Sequence, residues 1–263
     1  MSDRCVWMIV VGNTDTAARS TAATLAPYGV VIQGQALNVD QANGWLVCAQ
    51  SAAQASARFV VVVSSSEDYK RPEVRRQLSL FRLFLQTFTK STINGMVNLV
   101  DSGQADARSV DLPGTPILAD WETITTDSWA ARAVARLHSP KRPSWPVALG
   151  LFGQEKIGTW LEVQPMPGQS APGCLLGVSG NEAKISFHAA GPAGCLPDRS
   201  INEYELKGLT FSCAGHDFHA WGLQNALPPE QAYFARLENE PDLLAVSTLP
   251  NGELSEVHLM CLR

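Results

Sequence analysis

The hydrophobic pattern of the first half alternates between short apolar runs and longer amphipathic stretches. The most apolar run, residues 59–63 (FVVVV), has no polar position, which is typical of a strand buried on both faces of a parallel sheet. Polar residues follow it, and Pro72 then opens a stretch with apolar residues at helical spacing: Val74, Leu78, Phe81 and Leu85. The pattern predicts a central strand, a polar turn and a long helix.

The same alternation extends through residues 5–137. It predicts further strands at residues 5–11, 30–32, 96–100 and 115–119, and further helices at 17–25, 46–54 and 129–137. Five strands that alternate with helices predict an α/β fold with a doubly wound, flavodoxin-like parallel sheet. Ligands of such sheets bind at the carboxyl ends of the strands, so the turns after the strands are the first places to look for a site.

The second half has a different pattern. Three prolines, Pro140, Pro143 and Pro146, interrupt the helical periodicity, and they place a domain boundary between residues 1–140 and 141–263. Short alternating runs separated by Gly, Pro and Asn then predict a smaller antiparallel β-rich domain, with strands at 147–152, 159–163, 174–178, 183–188, 208–213, 217–223, 243–248 and 256–261. Residues 228–237 predict one helix, and Asn251-Gly252 predicts a hairpin turn.

Composition narrows the class of protein. The chain of 263 residues is 45% hydrophobic and 17% charged, which is typical of a globular protein with a real core. Its net charge of −5 gives no reason to expect nucleic acid as a partner. No apolar run reaches the roughly 20 residues that span a bilayer, and the first residues lack a cleavable signal. We therefore expect no membrane insertion, a cytoplasmic location and six reduced cysteines without a CxxC pair.

The loop and strand around residues 40–64 resemble a known family. Asp40 and Gly44-Trp45 mark the loop after the second strand, and a helix then leads into the apolar strand that ends at Ser64. Tyr69 lies where an aromatic residue is usual. These features resemble the Toll/interleukin-1 receptor (TIR) domain over about residues 5–138. The resemblance implies a flavodoxin-like fold and a role in signalling by self-association or by docking on a protein partner.

The resemblance departs from the family at its catalytic position. TIR enzymes that cleave NAD use a glutamate on the helix after the central strand, and the matching residue here is Gln77. An amide cannot carry the negative charge that stabilises a developing oxocarbenium cation. Glu73, one turn earlier on the same helical face, would replace it only if the register of the helix shifted. Otherwise Glu73 is an ordinary first-turn acid that interacts with the helix dipole.

Other candidate residues lie in the turns after the strands. Gly12, Asn13 and Thr14 follow the first strand as a phosphate-binding turn would, but they match no complete nucleotide motif. Three serines follow the central strand and would donate hydrogen bonds to a nucleotide, although serine is also common in ordinary turns: Ser64, Ser65 and Ser66. These six residues are the candidate nucleotide contacts, with NAD as a possible substrate or ligand.

A metal site is not expected. Cys213, His216 and His219 are the densest set of potential zinc ligands, with His188 or water as a fourth. On a strand, however, His216 and His219 would point to opposite faces and would not share an ion. We expect no bound metal and no resident cofactor.

The absence of a complete catalytic set favours a non-catalytic interaction or scaffold protein. Its candidate contacts are the loop residues Asp40, Gly44 and Trp45 and the basic helix face Lys70, Arg71, Arg75 and Arg76, since Trp and Arg are enriched at interfaces. Trp45 could equally begin the helix and pack inward. Two alternatives remain: a glycohydrolase or transferase acting on NAD or a related nucleotide, and a nucleotide sensor without chemistry.

Overall fold

The computed structural model describes residues 5–41, 43–101, 112–124, 128–154, 156–180, 182–249 and 256–263. These residues form two compact units, the first comprising 5–101 and 118–143 and the second 112–117 and 144–263. The predicted fold class is confirmed: the first unit contains a five-stranded parallel sheet, and the second contains antiparallel sheets.

The chain up to residue 143 alternates between strands and helices. In chain order the elements are β1 (Cys5–Val10), α1 (Asp15–Leu25), β2 (Val31–Ala36), α2 (Gly44–Gln54), β3 (Ala57–Ser64), α3 (Ser66–Lys70), α4 (Pro72–Thr89), β4 (Asn94–Leu99), β5 (Thr115–Pro116), β6 (Glu122–Thr123) and α5 (Trp129–His138). No helix in the described part of the chain is both long enough and apolar enough to cross a membrane.

The parallel sheet has the strand order β2-β1-β3-β4-β6 and helices on both faces. On one face, alternate residues of β1 and β3 such as Met8 and Val61 pack against α1 and α5. On the other face, the indole Nε1 of Trp7 lies 3.5 Å from the Sγ of Cys48 in α2. This two-sided cover explains why residues 59–63 of β3 include no polar position.

The fifth strand of this sheet is not the predicted one. Residues 115–119 were expected to form it, but Thr115 and Pro116 form β5 in a sheet of the second unit, and residues 117–120 form a turn. The fifth place is taken by β6, which pairs with Met96 and Val97 of β4. A physical reason lies in Pro116, which cannot donate a hydrogen bond to a sheet and is therefore tolerated at an edge such as β5.

The second unit contains two sheets. Its further strands are β7 (Ala148–Gln154), β8 (Gly158–Gln164), β9 (Cys174–Ser179), β10 (Lys184–Pro192), β11 (Leu206–Cys213), β12 (His216–Leu223), β13 (Gln231–Glu238), β14 (Leu243–Ser247) and β15 (His258–Cys261). One sheet has the order β10-β13-β8-β7, and the other has the order β11-β12-β9-β14-β15-β5. Strands β14 and β15 pair as a hairpin requires, but Asn251-Gly252 lies outside the described residues.

The helix predicted at residues 228–237 is wrong, because Gln231–Glu238 forms strand β13. This strand lies between β10 and β8, and Tyr233 and Phe234 are fully buried. An apolar run of this length fits a buried helix and a buried strand equally well. Pairing with two neighbouring strands decides between them, and its aromatic residues suit a strand.

Helix α4 carries a charged residue into the interior of the first unit. The guanidinium of Arg82 is fully buried and donates two hydrogen bonds to Asp120, at 2.5 and 2.9 Å. It also lies 5.6 Å from the ring centre of Trp121. This bidentate pair gives both terminal nitrogens of the buried guanidinium a carboxylate partner, so Asp120 holds the turn before β6 against the helix.

We expect Asp120→Ala to destabilise the first unit by about 3 kcal/mol, because it leaves the buried charge of Arg82 without its carboxylate. The matched control is Glu122→Ala. Glu122 pairs with Arg132 and Arg136 in half-exposed ion pairs, which contribute about 0–1 kcal/mol. Urea unfolding measures both variants. Equal losses for the two variants would contradict the assigned role of Asp120.

The segment between the units is exposed but tied to the first sheet. The side chain of Asn94 accepts a hydrogen bond from the Lys141 N–H at 2.6 Å and donates one to the Lys141 carbonyl at 2.8 Å. Residues 139–142 have neither helix nor strand and are exposed. Since β5 precedes this segment and pairs with β15, cleavage here leaves each fragment with part of the second unit.

Limited trypsin digestion is expected to cut after Lys141 and to give two fragments that elute together in gel filtration. They separate only in denaturant, because Thr115 and Pro116 of the first fragment pair with Met260 and Cys261 of the second. A Gly114→Val variant weakens this association, since a Cβ at Gly114 would lie 2.6 Å from the Leu259 backbone. Early cuts within residues 5–101 would contradict the expectation.

Candidate functional site

The candidate site lies at the carboxyl edge of the parallel sheet, between β1 and β3. These two strands are neighbours, and from them the chain winds outward to β2 on one side and to β4 and β6 on the other. Such a reversal opens a crevice between the two turns that follow the strands. The turn after β1 holds Gly12, Asn13 and Thr14, and the turn after β3 holds Ser65 and Ser66.

Thr14 ties the first turn to the central strand. Its buried hydroxyl lies 3.1 Å from the carbonyl of Val11 and 3.1 Å from that of Val63, and the Val11 N–H donates to the Val63 carbonyl at 2.9 Å. The hydroxyl therefore has a structural partner in each strand. Asn13 is exposed beside it.

Ser65 and Asp68 organise the second turn. Ser65 is the N-cap of α3: its Oγ accepts the Asp68 N–H at 2.9 Å and donates to Asp68 Oδ2 at 2.9 Å. A Cβ on Gly12 would lie only 2.6 Å from the same oxygen. Glycine suits position 12 because of its positive φ of 65°, and a side chain there would also displace this carboxylate.

A second carboxylate, Asp101, lies at the same edge. It follows β4 and accepts a hydrogen bond from the Ser66 N–H at 2.7 Å. This bond lowers the pKa of Asp101, so the group is ionised at neutral pH. Ser64 is buried, and its hydroxyl donates to the Ser65 carbonyl at 3.0 Å. The edge therefore carries two acidic groups, which disfavour an anionic ligand such as a phosphate.

Gln77 supports the loop that follows β2. Its Nε2 donates to the Val39 carbonyl at 2.9 Å, and a Cβ on Gly44 would lie 2.1 Å from the Asn38 carbonyl and 3.3 Å from Gln77 Oε1. The loop thus packs directly on α4, and Gly44 is needed for that approach. An amide can donate this hydrogen bond and an ionised carboxylate cannot, because the Val39 carbonyl is only an acceptor.

Glu73 and Gln77 lie in different surroundings on the same helix. Helix α4 begins at Pro72, as the sequence predicts, which places Glu73 in its first turn. Glu73 lies exposed in the first turn, whereas Gln77 is buried. A carboxylate on Glu73 therefore lacks the buried environment of position 77.

Four of the seven residues predicted to form a docking face are buried: Gly44, Trp45, Arg75 and Arg76. Trp45 is fully buried and packs edge-on against Phe84 of α4 at 6.2 Å. Arg75 and Arg76 are also buried, and the guanidinium of Arg75 lies 4.7 Å from the ring centre of Tyr69. A large indole and long cationic chains gain more from covering the core than from facing water.

The remaining docking candidates are accessible. Asp40, Lys70 and Arg71 are exposed, and Arg71 lies 3.7 Å from Asp68 in a half-exposed ion pair. An exposed pair of this kind contributes little to stability or to binding.

The zinc-ligand candidates of the second unit do not converge. His219 Nδ1 accepts the Ile185 N–H at 3.2 Å, while His188 is buried against Glu205. His216 and His219 are three residues apart on β12, so their side chains leave opposite faces of the strand. Within the described residues no group of three potential ligands is placed to hold a metal.

The exposed edge formed by strand β2 is the feature that sequence reasoning passed over. This strand lies at the edge of the parallel sheet, β1 is its partner among the described strands, and most of its residues are exposed. The sequence signal was present: VIQGQA lacks the continuous apolar character of β1 and β3, as expected of a strand that is not covered on both faces.

Comparisons with protein-family models and with curated proteins find no match to this chain.

We expect Gln77→Glu to destabilise the protein by about 1–3 kcal/mol, because it places two acceptors, a carboxylate and the Val39 carbonyl, against each other in a buried site. The matched control, Gln41→Glu in the exposed part of the same loop, changes stability by about 0.5 kcal/mol or less. Thermal unfolding measures both. A Gln77→Glu protein as stable as the control would show that position 77 tolerates a carboxylate.

Proposed function

We propose that this chain is an interaction protein whose α/β unit associates with a second copy of itself through the edge strand β2. The observation that supports the proposal is the edge of this strand, which is exposed, carries no charge and has no bulge. Strand β2 pairs with β1 in continuous register over six residues, and no described strand pairs with its other side. A row of free backbone donors and acceptors on such an edge is a template for another strand.

The other sheet edges in the described residues are protected. Strand β11 carries Lys207 and a register shift between Leu206 and Leu209, and β10 begins with Lys184 and shifts between Ile185 and Phe187. Charges and bulges of this kind prevent pairing at an edge. Strand β7 is largely buried, and β5 and β6 have two residues each. Strand β2 has neither a charge, a proline nor a bulge.

A second copy fits this edge in antiparallel orientation. In a two-fold symmetric pair, β2 of one copy lies against β2 of the other. A charged residue in this strand could therefore face the same charge on the second copy and destabilise the pair. The sequence VIQGQA contains no charge, and amide side chains such as Gln33 can bond to each other. Tyr28 and Val31, which are 48% and 37% exposed, add apolar surface beside the start of the strand.

The TIR resemblance agrees with this role, since it implies self-association or docking on a protein partner in signalling. Support for a binding role over NAD cleavage comes from the buried amide Gln77 at the position of the catalytic glutamate. The two carboxylates Asp68 and Asp101 at the sheet edge weigh against a phosphate-binding sensor. The six free cysteines suit the reducing cytoplasm.

The test is the oligomeric state of the full chain. Sedimentation velocity between about 1 and 100 μM, in reducing buffer, is expected to show a concentration-dependent dimer, because edge pairing buries less surface than a permanent dimer does. The double variant Val31→Lys and Gln33→Lys places four like charges across the two-fold axis, and it is expected to remain monomeric over the same range.

The matched control adds the same charge elsewhere. Ser20→Lys and Ala23→Lys lie on the exposed face of α1 and are expected to leave the dimer intact. Circular dichroism confirms the fold of each variant. A monomeric wild type at every concentration would refute the proposal, and so would a dimer that the β2 variant leaves unchanged. A pairing of β2 with a different protein in place of a second copy would also appear as a monomeric wild type.

A further inference from the structure

The backbone groups of strand β2 divide into those that bond to β1 and those that face away from it. The N–H of Leu37 donates to the carbonyl of Val10 in β1 at 2.8 Å. Because successive residues of a strand direct their N–H and C=O groups to alternate sides, residues 31, 33, 35 and 37 face β1. The residues that face away, and so form the free edge, are Ile32, Gly34 and Ala36.

The sequence of this strand is nearly symmetric about Gly34. Residues 31–37 are VIQGQAL, in which a glutamine flanks the glycine on each side and two apolar residues follow on each side. Two antiparallel strands run in opposite directions, so a two-fold axis at Gly34 places each residue against one of its own type on the second copy. This match favours a second copy of β2 as the partner over a strand of different sequence.

Backbone hydrogen bonding selects the same axis. In an antiparallel pair, two residues that bond to each other must both face the partner strand. With the axis at Gly34, this residue bonds to Gly34 of the second copy and Ile32 bonds to Ala36, so all three outward residues have partners. An axis at Gln33 leaves Ala36 without a partner within β2, and an axis at Gln35 leaves Ile32 without one.

On the face of the sheet that α1 covers, this axis brings small and apolar side chains together. Ile32 is half-buried and packs against the hydrophobic core on that face. In the pair it meets the exposed Ala36 of the second copy. A Cβ on Gly34 would lie 2.2 Å from the Met8 carbonyl, so packing against β1 already requires glycine there, and no side chain stands at the axis.

On the other face, the axis at Gly34 places Gln33 opposite Gln35 of the second copy. Gln33 is exposed and Gln35 is half-buried. Since the backbones of both residues face β1, they form the closer, non-hydrogen-bonded type of antiparallel pair, with Cα atoms about 4.5 Å apart. An amide both donates and accepts, so the two side chains can bond to each other, once on each side of the axis.

We propose that two copies of the chain pair through β2 in antiparallel orientation with the two-fold axis at Gly34, so that Gln33 of each copy lies against Gln35 of the other. This inference rests on the proposed function, because it specifies the register in which the two β2 edges meet.

The register joins the two parallel sheets into one continuous sheet with the two β2 strands at its centre. Because these strands run in opposite directions, the carboxyl edges of the two parallel sheets lie at opposite ends of the continuous sheet. The candidate site of each copy is at its carboxyl edge, after β1 and β3. Pairing therefore does not bring the two candidate sites together.

Opposite charges at positions 33 and 35 test the register by sedimentation velocity of the full chain. With the axis at Gly34, Gln33→Lys combined with Gln35→Glu sets a lysine against a glutamate on each side, so the dissociation constant is expected to stay within about threefold of wild type. Gln33→Lys combined with Gln35→Lys sets like charges at the same points and is expected to weaken the dimer about tenfold or more. An axis at Gln33 would instead set the two new lysines of the first variant against each other, and an axis at Gln35 its two new glutamates.

The reciprocal variant, Gln33→Glu combined with Gln35→Lys, is the matched control. It is expected to dimerise as the first variant does, and it keeps the test decisive if one of the two exchanges impairs folding, which circular dichroism detects. Raising the NaCl concentration from about 50 to 500 mM is expected to weaken both variants with opposite charges and to strengthen the variant with two lysines, because salt screens attraction and repulsion alike.

The outcomes separate the register from the proposed function. If the wild type dimerises but the folded variants with opposite charges are as weak as the variant with two lysines, the axis at Gly34 is overturned while pairing through β2 stands. Equal dimerisation of all the variants would also overturn this axis, because positions 33 and 35 would then not face each other. A monomeric wild type would refute the proposed function and the register with it.

Discussion

The burial of β3 on both faces is the constraint on which the first unit depends. The apolar run at residues 59–63 cannot face water on either side, so α1 and α5 cover one face of the sheet and α2 lies on the other. Helix α4 packs against α2 through Phe84 and Trp45, and it is buried from Val74 to Leu85, including its arginines. The Arg82–Asp120 pair then becomes necessary, because a buried guanidinium needs an acceptor.

The sequence predicts this unit well where a single pattern decides the structure. The FVVVV run, the start of α4 at Pro72 and the winding of the sheet could all be read from local periodicity. The burial of individual polar and aromatic side chains could not be predicted from this periodicity. Trp45 and Arg75 belong to residue types that occur equally at interfaces and in cores, and only the neighbours that the fold brings to them decide which.

In the second unit, prediction fails where strand pairing overrides local preference. The segment around Tyr233 follows two prolines and contains an apolar stretch, and both features also suit a helix. It nevertheless forms a strand, because it pairs with β10 on one side and β8 on the other. The same pairing places the Tyr233 hydroxyl beside His188, 45 residues away, and Glu205, just before β11, lies 3.1 Å from the other ring nitrogen. No spacing rule links these three residues. The sequence marked His188 only as a possible metal ligand, because its partners come from separate elements.

The position of β5 has a consequence for the order in which the chain folds during synthesis. Thr115 and Pro116 leave the ribosome between two strands of the parallel sheet, but their partners are Met260 and Cys261. At about 5–20 residues per second, the ribosome needs roughly 7–30 s to make the intervening stretch. The first sheet can therefore form while the β5 segment still lacks its partner strand, β15. The nascent β15 then meets a segment that β4 and β6 already anchor on both sides in the chain, which reduces the conformational search for this last pairing.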